Sequence, residues 1–229
     1  MHILLLILLL LVLIFGPQWW ARYTFRRYAG VLPRIPGTGG ELARHLLDQF
    51  GMQDVAVEKT EQGGDHYDPG DRAVRLGPAN YEQNSLTAVA VAAHEVGHAI
   101  QHQRKEPKFA LRHQLVKVAQ TTQQLGAGAM FLLPVVMAVT RAPSAGIVMG
   151  IVGLGSMASA TLVHLVTLPV ELDASFGKAL PILRAGEYIQ PDDEAAVRRV
   201  LRAAALTYVA SSLASLLNLA RWLAFLRRA

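Results

Sequence analysis

His94-Glu95-Val96-Gly97-His98 sets two imidazoles four residues apart, with a carboxylate beside the first. On a helix, positions i and i+4 project from nearly one face, so both rings can reach a single ion. Zinc accepts imidazole nitrogens at about 2.0–2.1 Å, and a catalytic zinc keeps one coordination position for water. Glu95 lies at the edge of that face, where its carboxylate can take a proton from the water. This is the mechanics of an H-E-x-x-H motif. The flanking Val96, Gly97, Ala99 and Ile100 carry no charge, and no proline breaks the helix. The bland alternative is a pair of surface histidines beside a solvated glutamate.

Two histidines need a third ligand, and a chain without cysteine must draw it from histidine or a carboxylate. His102 follows His98 by four residues, but a straight helix carries it roughly 12 Å along the axis from His94. One ion cannot bridge that span. Arg104 stands where a metzincin would place its third histidine. Glu171, in Leu168-Pro169-Val170-Glu171-Leu172-Asp173-Ala174-Ser175, follows a long apolar stretch and would complete a His₂Glu set. The alternative for Glu171 is an acid favoured by the start of a helix. Asp173, two residues on, points to the opposite side of a helix. It is placed either to orient a ligand through a hydrogen bond or to pair with an arginine. Asp65 and Asp68 read as turn formers, whereas His66 or Tyr67 could point into the cleft and stabilise an oxyanion. His164 reads as a buried hydrogen-bonding residue and His45 as a surface or packing residue.

The elements that must position these groups are membrane elements as well as soluble ones. Of 229 residues, 52% are hydrophobic, and they are gathered into long runs. The net charge of +5 comes with no basic face interleaved with aromatics. It therefore points to loops facing anionic lipid and not to nucleic acid. Ile3 to Phe15 is an unbroken apolar run, followed by Trp19, Trp20, Arg22, Arg26 and Arg27. A cleaved signal peptide would need a basic start and a small-x-small site, and neither is present, so the run reads as an uncleaved anchor. Two more stretches, about 122–141 and 146–168, each approach the ~20 residues that cross a bilayer. Gly146, Gly150, Gly153 and Gly155 would let them pack closely.

The expected organisation is an anchor over 1–21, a cytosolic region over 22–121 and a transmembrane hairpin over 122–168. A cytosolic third-ligand segment over 169–202 and a membrane helix over 203–229 complete it. The last helix either spans or lies in the membrane plane. Thr38 and Glu41 form a capping box that opens a helix ending near Gly51. Strands over 55–58 and 72–76 predict a small antiparallel sheet whose edge could hold an extended peptide. Asn84 or Ser85 caps the motif helix, and Pro169 interrupts the second helix of the hairpin. Thirteen of the 22 Lys and Arg residues lie within 22–117 and five within 178–202, whereas the hairpin tip holds only Arg141. By the positive-inside rule the motif helix and Glu171 both face the cytoplasm, on one side as a shared ion requires.

Taken together, these residues resemble the YugP-like family of membrane neutral zinc metallopeptidases. The matching stretches are Thr38-Gly39, Asp65-His66-Tyr67-Asp68-Pro69, Val74-Arg75-Leu76, Ala92 to His102, Thr167 to Ser175 and Ala205 to Ala210. The resemblance implies a zinc-dependent, membrane-embedded peptidase with His94 and His98 as ligands, Glu95 as catalytic acid/base and Zn²⁺ as cofactor. A more distant likeness is to the HtpX and CAAX-prenyl protease group, which has an Asp four residues after its Glu ligand. Ser175 occupies that place here. The expected fold is a mainly α membrane protein, with about four transmembrane helices and a zincin-like cytosolic part of motif helix and small sheet. Its expected partners are a peptide or protein substrate and the lipid bilayer. Two rivals remain. A site-2-type intramembrane protease expects its motif inside a spanning helix and a later Leu-Asp-Gly, where this chain has Leu172-Asp173-Ala174. A non-catalytic zinc protein expects a fourth protein ligand.

Overall fold

The computed structural model describes residues 2–61, 64–141 and 143–207. They are mainly helical. Along the chain run α1 (His2–Arg27), α2 (Gly39–Gln49), β1 (Ala56–Lys59), β2 (His66–Asp68), β3 (Ala73–Leu76) and α3 (Pro78–Glu82). Then come α4 (Leu86–Gln103), α5 (Pro107–Thr140), α6 (Pro143–Leu172), a π-helical segment (Asp173–Ala179) and α7 (Leu180–Ala185). A 3₁₀ turn (Pro191–Asp193) leads into α8, residues 194–207. Contacts divide these into two units. One comprises Trp19–Ala110 with Leu168–Thr207, and the other includes α1 up to Gln18 with Leu111–Thr167.

The first unit holds the motif. Its centre is α4, capped by Ser85, whose hydroxyl accepts from the Ala88 N–H at 3.1 Å. Every residue from Leu86 to Gln101 is buried, so this helix is enclosed on all sides. The capping box expected of α2 is formed in both directions, Thr38 N–H to Glu41 and Glu41 N–H to Thr38. Leu42, Ala43, Leu46 and Leu47 then face the core. Gly39 and Gly40, linker residues by composition, form the buried first turn of α2.

The sheet differs from the antiparallel pair expected. Its order is β1-β3-β2, with β1 parallel to β3 and β2 antiparallel to β3. β2, His66–Asp68, is not among the expected strands and comes from the segment between them. Asp68 forms the local turn bonds, accepting from the N–H groups of Gly70 and Asp71. Asp65 instead accepts from the Gly77 N–H and the Asn80 amide further along the chain and is not the turn former expected. Arg75 then clasps Glu58, Asp68 and Asp71 across the sheet.

Pro169 does not interrupt its helix. α6 runs through it to Leu172 and continues into the π segment. A proline removes one main-chain donor, yet the helix continues past it. That path delivers the Glu171 side chain to the buried face of α4. Gly97 permits the approach. A Cβ at Gly97 would lie 2.8 Å from the Ala174 carbonyl oxygen, inside any ordinary contact.

In the second unit, α5 and α6 meet where a Cβ on Gly126 would overlap the Ser156 hydroxyl. That hydroxyl donates to the Gly153 carbonyl at 2.7 Å, so small residues set this contact, as expected between membrane helices. Among the described residues, Pro107–Val139 is the one helix long and apolar enough to cross a bilayer. The surroundings of Gly146, Gly150 and His164, and most of the helix expected over 203–229, lie outside the described residues.

Replacing Gly97 by Ala adds up to ~1 kcal/mol of helix propensity but drives a methyl into backbone that cannot rotate away. The clash should win, with a net loss of about 1–3 kcal/mol. Thermal unfolding of Gly97→Ala in detergent checks this, and an unchanged midpoint would mean that the π segment yields freely.

Candidate metal centre

α4 presents His94 and His98 on one face, with ring centroids 4.7 Å apart. The π-helical junction brings Glu171 against them from 73 residues further along the chain. His98 Nε2 is 3.1 Å from Glu171 Oε2, and His94 Nε2 is 3.5 Å from the same oxygen. All three ligand atoms lie within 4.8 Å of one another, on residues exposed by 3% or less. Glu95 is buried beside them on α4.

Hydrogen bonds behind the rings decide what these atoms can do. Ser175 Oγ donates to the Leu201 carbonyl at 3.0 Å, so toward His94 Nδ1, 2.9 Å away, it must accept. Gln101 spends its amide hydrogens on the Val170 carbonyl (3.0 Å) and Asp173 Oδ2 (2.8 Å). Its Oε1 therefore accepts from His98 Nδ1 at 2.9 Å. Both imidazoles donate from Nδ1, and Nε2 of each faces the Glu171 carboxylate. Three potential metal ligands converge in a buried pocket, and a cation or a shared proton can hold them together. Two neutral imidazoles and one carboxylate form a donor set suited to zinc, with a coordination position left for water. Among the described residues no fourth His, Asp or Glu joins the group.

Asp173 is not in the donor set. It orients Gln101 and pairs with Lys178 at 2.8 Å, a lysine in place of the arginine considered from sequence. Lys178 also reaches Glu106 at 3.1 Å. Burial works against the Asp173 charge, yet Lys178 and Gln101 hold its carboxyl below the usual carboxylate range. Burial likewise works against the Lys178 charge, which Asp173 and Glu106 hold above the usual range.

Tyr67 and His66 sit apart from the donor set. The Tyr67 hydroxyl bonds His102 Nδ1 at 2.8 Å, and burial pushes the phenol pKa up. Phe109 packs against both His102 and His98. His66 bonds the Gly64 carbonyl of its own loop. His45 is exposed and bonds the Tyr188 hydroxyl at 2.8 Å. Gln101 goes unread in the sequence, and Ser175 is noted there only as standing where the HtpX and CAAX-prenyl protease group has an Asp, although the spacing of both carries a signal. Gln101 follows His98 by three residues, and Ser175 follows Glu171 by four.

The sequence matches the family model described as "Putative neutral zinc metallopeptidase" over residues 3–227. It is 38% identical over 217 residues to "Putative membrane protease YugP" of Bacillus subtilis (strain 168), an alignment covering 90% of each chain. No solved structure matches.

Removing the acceptor behind either imidazole frees its tautomer and orientation. Ser175→Ala and Gln101→Ala should each weaken zinc binding by about 10–100-fold, read by competition with a chromophoric chelator. Affinity equal to wild type in both would mean that the rings are held by packing alone.

Proposed function

This chain belongs to the neutral zinc metallopeptidase family, and from that premise we propose that it is a membrane-embedded zinc endopeptidase of the gluzincin type. His94, His98 and Glu171 hold the metal, and Glu95 is the general acid/base. The observation that carries this reading is the convergence of two Nε2 lone pairs and a carboxylate oxygen in a buried pocket on α4.

Zinc bound there supplies Lewis acidity toward the scissile carbonyl and brings the pKa of a coordinated water toward about 7. The protein's residues do the rest. Ser175 and Gln101 keep both imidazoles turned inward, so the ligands need no rearrangement to bind. Glu95 takes the proton from the attacking water and passes it to the leaving amine, so the peptide bond breaks without releasing a charged amide. Its burial removes competing water and strengthens that exchange.

An extended peptide can add to the outer side of β2, because β3 already has β1 and β2 as neighbours. The Tyr67–His102 bond ties β2 to α4 one turn beyond His98, which suits a strand that presents substrate to the metal. Four membrane crossings with the centre on the cytoplasmic side complete the proposal. The apolar length of Pro107–Val139, the positive charge over 22–117 and the membrane protease named as a relative support it.

Two variants separate binding from chemistry. Glu95→Gln should keep about one zinc per chain and lose turnover of an unstructured protein substrate by a factor of roughly 10² or more. Glu171→Ala should lose the zinc itself, by elemental analysis after removal of loose metal. Wild-type cleavage by Glu95→Gln would sink the assignment of Glu95, and retained zinc in Glu171→Ala would sink the ligand set.

A further inference from the structure

α1 carries Trp19, Tyr23 and Arg27 at i, i+4 and i+8, a single file roughly 12 Å long on one face. The side chains touch in sequence. The Trp19 and Tyr23 rings stack at 5.7 Å, and Arg27 donates to the Tyr23 hydroxyl at 3.0 Å. Trp19 is 70% exposed and Tyr23 48% exposed. The opposite face is committed, with Ala21 and Thr24 buried. Arg22 and Arg26 are also exposed, and among the described residues none of the three arginines pairs with a carboxylate. The chain holds no acid before Glu41.

The order of chemistry along the file is hydrocarbon, indole, phenol, guanidinium. A bilayer presents the same order from its acyl chains through the ester carbonyls to the phosphates. Three unneutralised arginines at the phosphate end favour lipids whose headgroups keep a net negative charge.

The same end of α1 is fastened to the motif helix. Thr87, in the first turn of α4, donates through its hydroxyl to the Phe25 carbonyl at 2.9 Å. Its N–H donates to the Tyr28 carbonyl at 3.2 Å. One first-turn N–H of α4 and the Thr87 hydroxyl thus satisfy two carbonyls at the end of α1. Arg199 of α8 adds a bond to the Tyr28 hydroxyl at 3.1 Å.

Resting on the membrane reading above, we propose that Trp19, Tyr23 and Arg27, flanked by Arg22 and Arg26, form a seat for an anionic phospholipid headgroup. The phosphate engages the arginines, and the indole lies at the ester-carbonyl level. Because this seat is bonded to the first turn of α4, the headgroup plane sets the height at which His94 and His98 are held.

The test uses the full chain with Trp20→Phe and Trp222→Phe, leaving Trp19 as the single tryptophan and exciting it selectively over tyrosine, in phosphatidylcholine nanodiscs doped with brominated lipid. Bromines near the carbonyl end of the acyl chain should quench Trp19 more than bromines near the methyl end. Brominated phosphatidylglycerol should quench about two- to fivefold more effectively than brominated phosphatidylcholine at equal mole fraction. Replacing Arg22, Arg26 and Arg27 together by Gln should abolish that excess, and replacing them by Lys should keep it. Equal quenching by the two headgroups, or an excess that survives the Gln variant, overturns the seat. Stronger quenching by the deep bromines overturns its depth. A chain that enters the discs with Trp19 unquenched overturns the seat while leaving the membrane reading intact. A chain that stays out of the discs overturns both.

Discussion

Two imidazole lone pairs and a carboxylate repel one another when they share a dry pocket, and the rest of this structure depends on that conflict being resolved by a cation. A buried carboxylate without compensation costs several kcal/mol. Glu171, His94 and His98 are all buried, against a helix that is itself buried along nearly its whole length. A cation or a shared proton where the three meet would relieve that cost. The burial of the three is the measure of how strongly the fold is built around that occupant.

Holding such a group together places demands on backbone as well as side chains. Glu171 must reach α4 from a distant helix, so that helix must run through Pro169 instead of stopping there. The following segment must lie close enough for Ser175 to reach His94, and this needs a position without a Cβ, which Gly97 provides. One glycine in the motif thus serves the second half of the site. The cost of glycine in a helix, up to ~1 kcal/mol relative to alanine, is offset by the contact it allows.

What could be read from the sequence was local and periodic. The i, i+4 histidines, the capping box at Thr38 and Glu41, and the serine cap of α4 depend on neighbours within one turn, and all are present as expected. Glu171 was legible for a different reason, because a carboxylate just after a long apolar run needs a partner. Sheet pairing was not legible. β1 and β3 run parallel with β2 added outside, and alternation along a strand says which residues face inward but not which strand lies next to it. Pro169 misled because proline's local preference is to end a helix, and here the helix continues past it. The roles of Gln101 and Ser175 were missed because an amide or hydroxyl reveals its role only through the atom it meets.

The character of those two residues shapes the electrostatics of the centre. A carboxylate behind an imidazole would make it a stronger donor and add negative charge near the metal. Here the groups that touch the rings are an amide and a hydroxyl, both neutral. The one carboxylate in the arm behind His98, Asp173, is set back behind Gln101 and matched by Lys178, which Glu106 matches in turn. Lys178 therefore offsets part of the negative charge in that arm, and Glu171 is the anionic member of the three-residue donor set. A divalent ion held by one carboxylate and two neutral imidazoles would keep a net positive charge. That charge is what lowers the pKa of a water and polarises a carbonyl, so neutral supports and a single anionic ligand favour hydrolytic chemistry over the tightest retention of metal.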